Sequence, residues 1–89
     1  MPIIASGSGY IPPPERLPGF PGTERVRPKT RVSGRRRPRW RDADGSIYEW
    51  DFQHGTVKRY NRRGEHTGEF DHMTGRQIGD AVRGRRVVP

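Results

Sequence analysis

Ile47-Tyr48-Glu49-Trp50-Asp51-Phe52-Gln53-His54-Gly55-Thr56-Val57-Lys58-Arg59-Tyr60 is the stretch whose reading decides the fold. In an extended chain successive side chains point to opposite faces. Tyr48, Trp50 and Phe52 therefore share one face, and Glu49 and Asp51 the other. One aromatic and one charged face describe a half-buried strand of an antiparallel sheet. His54-Gly55 reads as a two-residue hairpin turn. That turn pairs Gln53 with Thr56, Phe52 with Val57, Asp51 with Lys58, Trp50 with Arg59 and Glu49 with Tyr60. Asp51 and Lys58 are then direct cross-strand partners close to His54.

The same texture continues on both sides. Turn signals at Asp42-Ala43-Asp44-Gly45, Asn61-Arg62-Arg63-Gly64 and His72-Met73-Thr74-Gly75 recur at a spacing of about ten residues, as in an antiparallel meander. The expected strands are 38–42, 47–53, 56–61, 65–71 and 76–79, with 83–89 as a basic tail and no long helix. The fold class is all-β, a small and highly twisted antiparallel sheet.

Toward the N-terminus the composition changes. Seven of the nine prolines precede residue 30, which disfavours both helix and central strand. Residues 1–24 read as a Pro/Gly-rich extended arm, with Ile3, Ile4, Tyr10, Leu17 and Phe20 as candidates to pin it to a folded surface; a flexible linker is the alternative. Residues 25–41 carry nine cations broken by Pro28, Ser33-Gly34 and Pro38, and read as an Arg-rich basic loop leading into the first strand. A phosphate-tracking role and a plain solvated charge run both fit that loop.

The 89 residues carry a net charge of +8, with 28% hydrophobic residues and a mean hydropathy of -1.09. Only a thin core is available to so short a chain. Lys29 and Lys58 are the only lysines; the other sixteen of the 18 Lys and Arg residues are arginine, whose planar fork suits phosphate. Nucleic acid is the first partner to consider, ahead of anionic membrane or an acidic protein.

There is no cysteine, which excludes a disulfide framework and a thiolate zinc site. No apolar run reaches the length of a membrane span, and the residues after Met1 lack the pattern of a signal peptide, so no membrane anchor is expected in this domain and any export address is expected outside the chain. Asp42-Ala43-Asp44-Gly45 lacks the later glycine and glutamate of a calcium loop. His54, His66 and His72 have no short metal-binding spacing, so no metal or other cofactor is expected.

RNA cleavage needs a base for the ribose 2′-OH and an acid for the departing 5′-oxygen, and a histidine beside a carboxylate at a hairpin tip suits that task. Arg39-Trp40, Ile47-Tyr48-Glu49-Trp50-Asp51, Gln53-His54-Gly55, Tyr60, Gly64, His66, Gly68, Phe70-Asp71 and Thr74-Gly75 together resemble the cytotoxic domain of the ribosome-inactivating ribonuclease colicins and related polymorphic toxins. The resemblance covers about residues 35–89, which are taken as the ribonuclease domain. It implies a metal-independent endoribonuclease that cuts small-subunit (16S) ribosomal RNA of the 30S subunit at the decoding centre. It further implies an acidic immunity protein in the producing cell, an otherwise monomeric domain, and release or delivery from one bacterium to act in the cytoplasm of another.

Carried over by position, the family's catalytic aspartate falls on Asp51, its histidine on His54 and its C-terminal arginine on Arg85, with Arg83 and Arg86 beside it. Lys58 stands where the family has a glutamate. On this reading His54 is a candidate base, Lys58 stabilises phosphorane charge and Arg85 anchors phosphate, while Glu49 is a second candidate for the missing carboxylate. Arg35, Arg36, Arg37, Arg39, Trp40, Arg41, Arg83 and Arg86 are the candidate RNA-binding residues. Two alternatives remain: a non-catalytic basic RNA-binding module, and a disabled toxin that binds only its immunity protein.

Overall fold

The alternation of residues 47–60 becomes the centre of a six-stranded antiparallel sheet in the computed structural model, which describes residues 10–89. In chain order the strands are β1 (Glu24–Val26), β2 (Arg31–Val32), β3 (Arg35–Arg36), β4 (Arg39–Arg41), β5 (Ile47–Asp51), β6 (Thr56–Tyr60), β7 (His66–Phe70) and β8 (Gln77–Gly79). The large sheet runs β1-β4-β5-β6-β7-β8, and β2 and β3 form a separate two-stranded sheet. Among the described residues there is no helix. The all-β reading holds, and β4 to β8 end within two residues of their expected limits.

Residues 25–41 differ from expectation, because the basic loop contains β2, β3 and all of β1 but Glu24. β1 adds to the sheet edge through Glu24↔Arg41, Arg25↔Trp40 and Val26↔Arg39. Charged side chains suit an edge strand, where backbone pairing holds the chain and solvent takes the charge. In the β2–β3 hairpin Ser33 and Gly34 both adopt positive φ, 50° and 81°, as a two-residue hairpin turn demands.

The β5–β6 hairpin also differs. Its register is Glu49↔Lys58, Trp50↔Val57 and Asp51↔Thr56, so residues 52–55 form a four-residue turn rather than His54-Gly55 alone. The Gly55 N–H donates to the Asp51 carbonyl at 2.8 Å, while the Asp51 carboxylate accepts from the Gln53 and His54 N–H groups at 2.9 and 3.1 Å. An aspartate that captures backbone donors in this way favours the wider turn. The resulting shift is two residues, a whole pleat repeat. Each side chain therefore keeps its face, and Lys58 becomes a diagonal neighbour of Asp51 instead of its direct partner.

The aromatic face of the sheet carries Trp40, Tyr48, Trp50, Val57 and Phe70, which cluster with Leu17 of the arm. The arm closes this face: Trp50 Nε1 donates to the Ile11 carbonyl at 2.8 Å, and Trp40 Nε1 to the Glu15 carbonyl at 3.3 Å. Phe20 packs on Tyr48 and Phe70 at centroid distances of 4.7 and 5.7 Å. Gly19 crosses the β7–β8 turn so closely that a Cβ there would collide with the Gly75 backbone nitrogen. Ile3 and Ile4 lie outside the described residues.

Leu17, 2% exposed, is the aliphatic plug of this layer. Replacing a buried leucine with alanine removes transfer energy and leaves a cavity, at a cost of about 2–5 kcal/mol. Leu17→Ala is expected to lower the urea-unfolding free energy by about 3 kcal/mol; a loss within about 0.5 kcal/mol, the size of an ordinary surface substitution, would show that the arm does not contribute to the core.

Candidate functional site

The opposite face of β5, β6 and β7 is polar, and its register gathers the side chains of interest. Asp51 ends β5, His54 stands in the turn, Lys58 is in β6, and Glu69 of β7 lies directly across from Lys58. Lys58 thus has Glu49 as its register partner on one side and Glu69 on the other, with Asp51 on the diagonal.

Asp51 is the organising group. Its Oδ1 accepts the two turn N–H groups described above; its Oδ2 accepts from Lys58 Nζ at 2.5 Å and lies 2.8 Å from His54 Nδ1. Four partners fill the acceptor capacity of a carboxylate. Burial opposes ionisation, but the hydrogen bonds from Lys58 and His54 outweigh it and hold Asp51 well below the usual carboxylate range. Asp51 is therefore a fixed anion, poorly suited to accept a proton. It orients His54 through Nδ1 and leaves the other ring nitrogen toward solvent; the His54 side chain is 59% exposed and that of Asp51 only 5%.

Glu49 is excluded from that chemistry by its position. It is fully buried, and its Oε2 accepts from Arg39 Nε and Nη2 at 3.0 and 2.6 Å and from the Thr30 hydroxyl at 2.7 Å. The Glu49 carboxylate expected as a substitute base is a structural ion-pair partner. Arg39, 1% exposed, is equally committed. Removing one member of such a pair costs about 3–5 kcal/mol, so Arg39 is not a free phosphate ligand. Trp40 is also 1% exposed, with the Arg25 guanidinium 5.1 Å from its ring centroid, and has no open face for stacking on a base.

The remaining candidate cations are accessible to differing degrees. Arg36, Arg41, Arg83, Arg85 and Arg86 are exposed and Arg37 is half-buried. Exposed Arg35 lies over Tyr10 and Phe52, 4.4 and 5.3 Å from their centroids. The tail that carries Arg83, Arg85 and Arg86 is tied down by His66. The Val82 N–H donates to His66 Nδ1 at 2.9 Å and the His66 N–H donates to the Arg85 carbonyl at 3.0 Å. An Nδ1 that accepts is unprotonated, so this His66 is neutral. Burial, then the charges of Arg85 and Lys58, lower its pKa. Tyr60, 5.3 Å from the His66 ring, is pushed up to about 12 by burial and by Glu49.

Sequence reasoning missed Glu69. Its Oε2 accepts from the Thr56 hydroxyl at 2.6 Å, and the ligand atoms of Asp51, His54 and Glu69 lie within 4.8 Å of one another. Among the described residues these three are the set that could approach a metal ion, but the Lys58 ammonium already sits on Asp51 Oδ2. Glu69 reaches the polar face because a register shift between Arg59 and Tyr60 inserts an extra residue into β7. Continuing from Tyr60↔His66 without it would turn Glu69 toward the aromatic side. Gly68, a glycine inside a strand pattern, is the signal that could have suggested the bulge.

Residues 11–88 match the Cytotoxic family. Cloacin of Escherichia coli is 41% identical over 78 residues, a match covering 81% of this chain and 14% of cloacin. Colicin E3 and colicin E6 of the same species are 40% and 38% identical with the same coverage. The chain thus spans 14% of the length of these relatives.

Asp51 and His66 are the two buried groups that bind fewer protons folded than unfolded, so acid destabilises the domain. For Asp51 the stabilisation is complete above the ordinary carboxylate value of about 4 and is lost as pH falls below it toward the lowered native value. For His66 the loss begins below the ordinary imidazole value of about 6.5, where the unfolded chain protonates first. The urea midpoint is expected to fall in two stages on acidification, with His66→Gln removing the upper one and Asp51→Asn shrinking the lower, to which Asp44, Glu65 and Asp71 also contribute. An unchanged profile in both variants would refute these assignments.

Proposed function

The chain belongs to the Cytotoxic family, nuclease domains of the colicin E3 type, and on that premise we propose that it is a toxin endoribonuclease domain that cuts small-subunit ribosomal RNA at the decoding centre and halts translation. The observation that carries this reading is the Asp51–His54–Lys58 cluster, in which the buried Asp51 and Lys58 hold an exposed histidine. Asp51 holds His54 by Nδ1, and the free Nε2 is placed to exchange a proton with substrate. Lys58 brings a positive charge beside the position where a phosphorane would gather negative charge. Arg85, on the tail anchored to His66, supplies a fork for a phosphate oxygen.

No step of this reaction requires a metal. The 2′-oxygen of a ribose attacks the adjacent phosphorus, the bond to the 5′-oxygen breaks, and the products are a 2′,3′-cyclic phosphate and a 5′-hydroxyl. The net charge of +8 supports attraction to ribosomal RNA and, in the producing cell, to an acidic immunity protein. Exposed Arg36, Arg41, Arg83 and Arg86 are the surface through which either polyanion would be held.

The purified domain is to be incubated with intact bacterial ribosomes, with and without EDTA, and the ends of the small-subunit RNA mapped. The expected result is one cut near the 3′ end, unaffected by EDTA and slowed at least about 100-fold in His54→Ala, the lower bound for a general acid–base group. Ribosomes bound tightly but left intact would instead identify an RNA-binding module.

A further inference from the structure

We propose that Glu69 is the general base of the reaction, working opposite His54 as the general acid; the assignment rests on the ribonuclease reading above and names the group that reading leaves open. Cleavage requires two proton transfers, one from the 2′-OH and one to the 5′-oxygen, and a single imidazole cannot be on both sides of the phosphorus at once. The polar face must therefore offer a second group near His54.

Three carboxylates surround Lys58, and their environments separate them. Asp51 has four partners and is held ionised. Glu49 is fully buried against Arg39 and Thr30. Glu69 is half-buried, reaches solvent, and among the described residues has the Thr56 hydroxyl alone as a hydrogen-bond partner, on Oε2. Its carboxylate also lies within the same 4.8 Å cluster as His54 and Asp51. Among the described residues it is the carboxylate beside His54 with capacity to take a proton. The charged and titratable groups facing it are Asp51 and His54 of the β5–β6 hairpin, Lys58 of β6 and His66 of its own strand; β8 contributes Gly79 opposite.

Proton and bond changes balance in this arrangement. Glu69 takes the 2′-OH proton as the 2′-oxygen bonds to phosphorus. Protonated His54, its Nδ1–H held by Asp51, gives the Nε2 proton to the 5′-oxygen as that oxygen leaves. Lys58 stays on Asp51 and puts its positive charge beside the phosphorane oxygens. The lysine at position 58 is thus tolerated because the carboxylate function resides on the next strand.

The test is single-turnover cleavage of ribosomes by the whole 89-residue chain across pH, comparing the native protein with Glu69→Gln and Thr56→Val. The native profile is expected to be a bell. Glu69→Gln should cut at least 100-fold more slowly, bind ribosomes as before, and lose the acid limb of its profile, a change that a merely structural side chain would not produce. Thr56→Val, which removes the hydrogen bond favouring the ionised carboxylate, should fold normally and move the acid limb to higher pH; it carries the test if Glu69→Gln fails to fold. Cutting by Glu69→Gln within threefold of the native rate, or an acid limb that stays in place in both variants, overturns the assignment of Glu69 and leaves the ribonuclease reading standing. No cutting by the native chain overturns both.

Discussion

The Asp51 carboxylate is the constraint from which the polar half of the structure follows. Lying at the end of a central strand, it captures two turn N–H groups, one lysine ammonium and one imidazole. Those bonds set the length of the β5–β6 turn, and the turn sets the register. They also orient His54. Because a charge held this way would be costly without all its partners, the hairpin tip has few alternative arrangements.

On the other side of the same strands the problem is a shortage of apolar surface. A sheet this small cannot bury an aromatic face against itself, and no helix is present among the described residues to cover it. The proline-rich arm supplies the missing layer. Its prolines fix it in an extended form that loses little entropy on docking, and its carbonyls accept the two indole N–H groups that would otherwise be buried without partners. With one face closed by the arm, the other holds Asp51 and Lys58 as buried charges and leaves His54 and part of Glu69 in reach of solvent.

The aromatic and charged alternation of residues 47–53 and the spacing of the turns were enough to place five of the strands. What stayed hidden depends on backbone detail. β1 has no apolar pattern because an edge strand needs none. The wide turn is made by the Asp51 side chain, and Asp51 reads in sequence as a strand residue. Asp51, His54 and Lys58 were legible as neighbours because a two-residue slip preserves side-chain faces. Glu69 was not, since a single-residue bulge reverses the face of everything beyond it. Arg39 and Glu49 look like surface charges in the sequence; only the fold reveals that each is buried to satisfy the other.

The most direct test of this account is the tautomer of His54, read by nitrogen-15 NMR of the neutral imidazole in the native domain and in Asp51→Asn. If Asp51 orients the ring, the proton of the neutral form sits on Nδ1 in the native protein, and this preference is lost when the carboxylate is replaced. A native His54 with its proton on Nε2, or with the same tautomer mixture in both proteins, would contradict the claim that Asp51 prepares this histidine for proton transfer.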